Sequence, residues 1–213
     1  MPEDSSLSTK SKILSAALER LLQHGHEHIS MRQIAGDVDI TPMAIYKHFA
    51  NKEALQLALL EAGYLVFEDY LRRHRDAEDP RERLRLLAQG FFDFSIEQSG
   101  YFELIFLSGR GLARIKGWEQ ARDAAKPTYK VLHQCVRSCI QDGLFLDADS
   151  RGTTTSMLAF CVGMSALYLS GAVGKTPQQA RPHFMAAFDH YVNQLCAAKQ
   201  ISSAAPKREK LAA

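Results

Sequence analysis

Apolar residues recur along this chain at three- and four-residue spacing and nowhere alternate with polar ones long enough for a strand, so the pattern predicts helix nearly throughout. Ile13, Leu14, Ala17, Leu18, Leu21 and Leu22 share one helical face, with Ser8 as N-cap and Gly25 as the stop. Ser30, followed three residues on by Gln33, reads as a capping box that opens a short second helix. Ile34, Ala35 and Val38 are its inward side, and it ends near residues 37–39. Thr41-Pro42 is a cap followed by proline at the first helical position, and the helix it opens, 42–49, is barely two turns long. Asn51 caps a fourth helix from Lys52 to about Arg75, with Leu55, Leu59, Ala62, Leu65 and Val66 inward.

Residues 76–79 make a polar break, and Asp79-Pro80-Arg81-Glu82 repeats the helix-start logic for a helix reaching about residue 99. Gly100 is expected to interrupt it, 101–107 to form a short apolar helix, and 108–116 a loop bearing Gly and Arg. A long helix over 118–142, bending at Pro127, ends at Gly143. Another covers 150–170, and the last starts at Pro177 or Pro182 and ends near residue 199. Residues 152–174 carry no charge, but only 157–169 are densely apolar, which suits a buried helix of a soluble protein rather than a membrane span.

Composition narrows the field. With 46% hydrophobic and 23% charged residues the chain has the balance of a globular protein, not a disordered one. The formal net charge of +2 neither demands nor excludes a polyanionic partner. Cys135, Cys139, Cys161 and Cys196 form no CxxC pair, and the first dozen residues hold no apolar h-region, so a reducing cytoplasmic setting is expected. His24, His26 and His28 flank a helix end, where ligands rarely converge, and read as a polar turn rather than a metal site. No nucleophile elbow, phosphate loop or zinc-protease signature occurs, so neither an enzyme nor a metal or cofactor is expected.

The constellation that does carry chemistry lies in the first sixty residues. A second and a third helix joined by three or four residues make a helix-turn-helix, whose last helix crosses the one before it steeply enough to enter a major groove. Thr41, Met43, Ala44 and Lys47 lie on the outward stripe, Tyr46 and His48 to its sides, while Ile45 and Phe49 at i and i+4 anchor it inward. A plain corner of a helical bundle fits the same pattern.

Residues 10–62 resemble the DNA-binding domain of the TetR family of transcriptional regulators. The resemblance rests on Ile13-Leu-Ser-Ala-Ala17, Gly25, Ser30-Met-Arg-Gln-Ile-Ala35, Val38, Ile40-Thr-Pro42, Ile45-Tyr-Lys-His-Phe49 and Asn51-Lys-Glu-Ala-Leu55. The chain departs at Asp39, where the family usually has Gly, although Asp tolerates the left-handed conformation better than most residues. The resemblance implies an all-α protein, with an N-terminal three-helix helix-turn-helix DNA-binding domain (8–63) and a C-terminal helical ligand-binding and dimerisation domain (64–199); the tail 200–213, rich in Ala, Ser and Lys, is expected to be disordered on its composition. The resemblance also implies that Thr41, Tyr46, His48 and Lys52 meet the DNA backbone, that Pro42 opens the recognition helix, that Met43 and Ala44 meet base edges, and that Lys47 reaches guanine or a phosphate, while Arg32 on the second helix is either a further backbone contact or a solvated surface charge. Charge is a warning: residues 1–63 carry six Lys and Arg against eight Asp and Glu, a net −2, so two copies and local rather than bulk positive charge are needed.

The C-terminal part has no decisive motif. Ala159 and Gly163, then Ala166 and Ser170, are small residues four apart on a helix without charge, and Phe184, Phe188, Tyr191 and Leu195 share a face of the last helix; both are candidates for a homodimer interface, or for packing within one subunit. Phe92, Phe102, Phe106, Trp118, Tyr129, His133, Phe160 and Met164 are candidates to line a pocket for an apolar or aromatic small-molecule effector, with Tyr129 and His133 as polar anchors; cores use the same residue types. Cys135 and Cys139, four apart, are either buried thiols or redox sensors. The expected function is a regulator, a repressor released by its effector from a palindromic double-stranded operator, with no membrane partner. The alternative is a helical protein-interaction module without DNA binding.

Overall fold

The computed structural model describes residues 8–24, 30–73, 76–108, 117, 119, 123–145 and 149–204, and among these it is helical with no strand. Gly25, His26, His28, Arg75, Trp118 and residues 205–213, all of which carried expectations above, lie outside the described residues. The helices are α1 (Thr9–His24), α2 (Met31–Asp37), α3 (Pro42–Tyr46), α4 (Lys52–Arg73), α5 (Pro80–Glu97), α6 (Ser99–Phe102, continued by a π-helical turn Glu103–Leu107), α7 (Lys126–Gln141), α8 (Ser150–Leu169) and α9 (Pro177–Ala204). They group into two compact units, 1–70 with 97–128, and 71–96 with 129–213.

In the first unit, Ile13, Ala17 and Leu21 of α1, Ile34 and Ala35 of α2, Ile45 and Phe49 at α3, and Leu55 and Leu59 of α4 form one buried cluster, joined by Leu104. Helices α2 and α3, of seven and five residues, are too short to persist alone, so this shared core fixes them. Two glycines permit close crossings. A Cβ on Gly63 would fall 2.9 Å from Tyr101 Cδ1, and one on Gly100 would fall 2.8 Å from Leu22 Cδ1. Gly100 is therefore a packing residue and does not interrupt a helix as expected; the break sits at Gln98, with φ −125° and ψ 41°. Leu65, expected inward, is 65% exposed, because the buried face of α4 follows Leu59, Leu60, Tyr64, Phe67, Tyr70 and Leu71.

In the second unit, Phe92 of α5 packs on Phe184 of α9 with ring centroids 4.6 Å apart and on Tyr168 of α8 at 5.8 Å. Phe160 of α8 stacks on Tyr191 of α9 at 5.1 Å. Arg181–Asp93 (2.5 Å) and Arg85–Asp189 (3.3 Å) tie α9 to α5 along the same seam. Pro127 does not bend a long helix. It stands in the first turn of α7, after a 3₁₀ turn Asp123–Ala125, where a missing N–H costs nothing. Pro177, not Pro182, opens α9, and that helix runs past residue 199 to Ala204.

Candidate nucleic-acid interface

The turn between α2 and α3 decides how α3 is presented. Ile40 N–H donates to Ala35 O (2.9 Å) and Asp39 N–H to Gly36 O (3.2 Å), the paired bonds of a Schellman cap. That cap needs a left-handed residue, and Asp39 takes it with φ +55°. The same pair of bonds closes α7, where Leu144 donates to Cys139 O (2.8 Å), Gly143 donates to Ile140 O (3.0 Å) and Gly143 has φ +71°. Asp39 thus does in the helix-turn-helix what glycine does elsewhere in the chain, and the turn is intact.

Thr41 then caps α3, its Oγ1 accepting from Ala44 N–H at 3.2 Å, with Pro42 at the first helical position. Asn51 caps α4 by accepting from Ala54 N–H at 2.8 Å. Ser30 differs from expectation: it stands in extended backbone ahead of α2 but its side chain makes no capping bond, so the predicted box with Gln33 is not closed.

The inward and outward sides of α3 are sharply separated. Ile45 is fully buried and Phe49 nearly so, while Thr41, Pro42, Met43, Tyr46, Lys47 and His48 are exposed, Met43 by 74% and Tyr46 by 51%. Ala44 and Lys52 are half-buried, and Arg32 on α2 is exposed. One basic group was missed in the sequence: the Lys10 ammonium lies 5.8 Å from the centroid of the Phe49 ring, which sets a cation beside the end of α3. No spacing rule connects residues 39 positions apart, so no local signal announces it. Another basic group is removed from the count. Arg20 of α1 donates to both carboxylate oxygens of Asp37 at the end of α2, Nη2 to Oδ1 at 2.7 Å. That hydrogen bond, with the charge behind it, holds the Asp37 carboxyl below the usual carboxylate range.

The residues expected around an effector fall into both units. Phe102 is fully buried and packs on Phe106 at 5.4 Å, and Phe106 meets Phe67 edge-on at 5.7 Å, all within the first unit. Phe92, Tyr129, His133, Phe160 and Met164 lie in the second. There Tyr129 stacks on His133 at 5.8 Å, and His133 Nδ1 stands 3.2 Å from Thr154 Oγ1. Of the residues expected at a dimer face, Ala159, Gly163 and Ser170 are exposed on α8, and Ala166, Tyr191 and Leu195 are half-buried. Phe184 and Phe188 are 1% and 2% exposed and pack in the aromatic seam of their own chain, the arrangement that the alternative of packing within one subunit calls for. Leu167, missed in the sequence, is 46% exposed one turn beyond Gly163.

Residues 13–59 match the family model described as bacterial regulatory proteins, tetR family, and residues 84–191 match the tetracyclin repressor-like C-terminal domain. The HTH-type transcriptional activator FasR of Mycolicibacterium smegmatis is 32% identical over 98 residues, 46% of this chain and 45% of FasR. The first curated relatives are matched over between 34% and 57% of their own length. Among solved structures, the transcriptional regulator FadR from Bacillus subtilis in complex with stearoyl-CoA superposes with a TM-score of 0.70 at 17% identity, covering 87% of this chain and 97% of FadR. AibR in complex with isovaleryl coenzyme A and operator DNA superposes with a TM-score of 0.69 at 22% identity, covering 87% and 97%. At those identities the likeness is one of fold.

Proposed function

The chain belongs to the tetR family of bacterial regulatory proteins, and we propose that it is a cytoplasmic, homodimeric transcriptional regulator that binds a palindromic operator and is released from it by a small-molecule effector. The observation that supports this most is the outward stripe of α3: a five-residue helix, anchored by Ile45, that leaves Met43, Tyr46, Lys47 and His48 open. A stripe that narrow fits one major groove, with Met43 and Ala44 against base edges and thymine methyls, and Lys47 at guanine or phosphate. Arg32, Thr41, Tyr46, His48 and Lys52 hold the phosphates on either side, joined by Lys10. Two copies place their α3 helices about 34 Å apart, one turn of duplex.

The exposed, uncharged stripe of Ala159, Gly163, Leu167 and Ser170 is the proposed face between copies, with Tyr191 and Leu195 at its margin. Small residues let two helices approach closely, and α8 has the hydropathy of a helix meant to be covered. For the effector, an acyl-coenzyme A thioester is the class to test first, because FadR and AibR each carry one. Such a ligand joins an apolar chain to polar groups, and the second unit supplies both kinds of side chain, Phe160 and Met164 of the one and Tyr129 and His133 of the other.

The test of the DNA reading needs no prior operator. Duplexes are selected from a randomised pool with the purified chain, and binding is then followed by fluorescence anisotropy across a salt series. Affinity should fall steeply with salt, about 0.9 log units per log unit of salt for each phosphate neutralised. Tyr46→Ala combined with Lys52→Ala should abolish binding while sedimentation still reports the dimer, and Lys52→Ala alone should lower the salt slope by about 1. Undiminished binding by the double variant removes the site assignment.

A further inference from the structure

Two hydrogen bonds of one threonine decide where the proton of a histidine sits. Thr154, fully buried on α8, donates its hydroxyl hydrogen to Ser150 O at 2.7 Å. A carbonyl oxygen only accepts, so that hydrogen is committed. The same Thr154 Oγ1 stands 3.2 Å from Nδ1 of His133 on α7. With its hydrogen spent, the hydroxyl can only accept there. Nδ1 therefore carries the ring hydrogen, and in the neutral ring Nε2 is left as a lone-pair acceptor. A free imidazole favours the opposite form, so the bond to Thr154 imposes this one.

The plane of the ring is held as well. Tyr129, one turn earlier on α7, stacks on it with centroids 5.8 Å apart and planes 15° from parallel. Stacking covers a face of the imidazole and leaves its edge open. Among the described residues no other hydrogen bond reaches the His133 ring or the Tyr129 hydroxyl. His133 is half-buried and Tyr129 is 37% exposed, so both are within reach of a ligand. A further polar group without a partner lies on the inward stripe of α8 that carries Thr154, Met157 and Cys161: the fully buried hydroxyl of Ser165, about three turns along. Buried polar groups are ordinarily paired. An occupant with polar groups set along an apolar body answers both ends of that stripe.

We propose that His133 Nε2 is the acceptor for an amide N–H of the effector, fixed in that role by Thr154, so that the site takes a neutral amide-bearing ligand rather than a free carboxylate. An acceptor and a hydroxyl on two stacked rings match the N–H and the C=O of a secondary amide, whereas a carboxylate brings only acceptors to Nε2. The inference rests on the effector reading above and narrows it, because the pantetheine arm of an acyl thioester carries such amides and a free fatty acid does not. Thr154 is a positioning residue: it touches the ring, not the ligand.

The ring form is read without any ligand. In the full-length chain labelled with nitrogen-15 histidine, long-range proton–nitrogen spectra at pH 8 separate Nδ1–H from Nε2–H rings, and His133→Gln shows which signals belong to His133. The His133 ring should be Nδ1–H. Thr154→Val should return it to Nε2–H, and Thr154→Ser should restore Nδ1–H. S-butyryl pantetheine, methyl thiobutyrate (the same thioester without the amides) and butyrate are then titrated, with binding followed by calorimetry and by the His133 nitrogen signals. The pantetheine thioester should move the Nε2 signal and bind at least about tenfold more tightly than the other two, which should leave that signal in place. Thr154→Val should weaken its binding about tenfold, the size of one hydrogen bond, and Thr154→Ser should recover most of the loss. An Nε2–H ring in the parent chain overturns the proposal and leaves the effector reading standing. So does heat of binding with the Nε2 signal unmoved, or a shift from butyrate as large as that from the pantetheine thioester. No heat from the pantetheine thioester overturns both.

Discussion

Met43 on α3 and Leu167 on α8 are both large apolar side chains left in water, 74% and 46% exposed. Their surroundings differ. Met43 sits among Thr41, Tyr46, Lys47 and His48, a stripe mixing hydroxyls and cations with one apolar tip. Leu167 continues Ala159 and Gly163, a stripe without charge and almost without side-chain volume. The first mixture suits a groove walled by phosphates and floored by bases; the second suits another helix of its own kind. Both are proposed surfaces for a partner, and the neighbouring residues are what separates the two proposals. The two are also held differently. Five residues of α3 hang on Ile45 and Phe49, whereas α8 is twenty residues long and rests on an aromatic seam.

The largest effects should come from cutting those two anchors. Phe184→Ala empties a fully buried site against Phe92 and Phe160 and should cost about 3–5 kcal/mol. Ile45→Ala, also fully buried, should cost about 2–5 kcal/mol. Urea denaturation followed by circular dichroism measures both. The comparison predicts a further split: at low urea Ile45→Ala loses operator affinity and keeps the dimer, because only α3 loses its hold. A variant that lost both together would show that the two regions are not separable.

Next in size is Gly163→Leu. A Cβ built at this position meets nothing within 4 Å in its own chain, and replacing glycine in a helix gains up to about 1 kcal/mol of helix propensity. The chain should therefore fold at least as stably while its self-association weakens by tenfold or more in sedimentation equilibrium. Unchanged association would take the stripe away from the interface and leave Leu167 as an ordinary exposed leucine.

What the sequence made legible was whatever rests on neighbours a few positions apart. Thr41, Asn51 and Asp79 were readable as caps, and each accepts the expected backbone N–H, Asp79 from Glu82 at 3.0 Å. The helix-turn-helix followed from them. Features made by distant residues were not readable: Arg20 on Asp37, Lys10 on Phe49, or the close approach of Gly100 to Leu22. The aromatic residues were ambiguous for a physical reason, since Phe184 and Phe188 carry the periodicity of an interface and of a core alike, and only burial separates the two.

Asp39 lies between these cases and gives a smaller test. The left-handed conformation costs a residue with a Cβ roughly 1–2 kcal/mol, less for Asp. Asp39→Gly should be neutral or slightly stabilising, and Asp39→Val should lower the thermal midpoint by the full strain and weaken operator binding with it. A tolerated valine would mean that the Schellman cap does not set the angle of α3.

The smallest effect, and the one that probes how α1 meets α2, is Asp37→Asn. The Arg20 bond holds the Asp37 carboxyl below its usual value, so the folded chain protonates it at lower pH than the unfolded chain does. Its contribution is then complete above the unfolded value of about 3.9 and disappears as pH falls through the lower folded value. Asp37→Asn should therefore lower the urea midpoint slightly at pH 6, and the difference from the parent should shrink as the solution is acidified below the unfolded value and vanish once the pH has passed through the lower folded one. The two side chains are 23% and 37% exposed, so the difference at pH 6 should also shrink in 1 M salt. Operator binding moves the opposite way. Removing one acid takes residues 1–63 from −2 to −1, and Arg20, no longer neutralised, adds to the attraction for phosphate. A variant that lost midpoint without gaining affinity for DNA would place Arg20 too far from the duplex to count, and would leave Arg32, Lys47, Lys52 and Lys10 to carry the phosphate contacts alone.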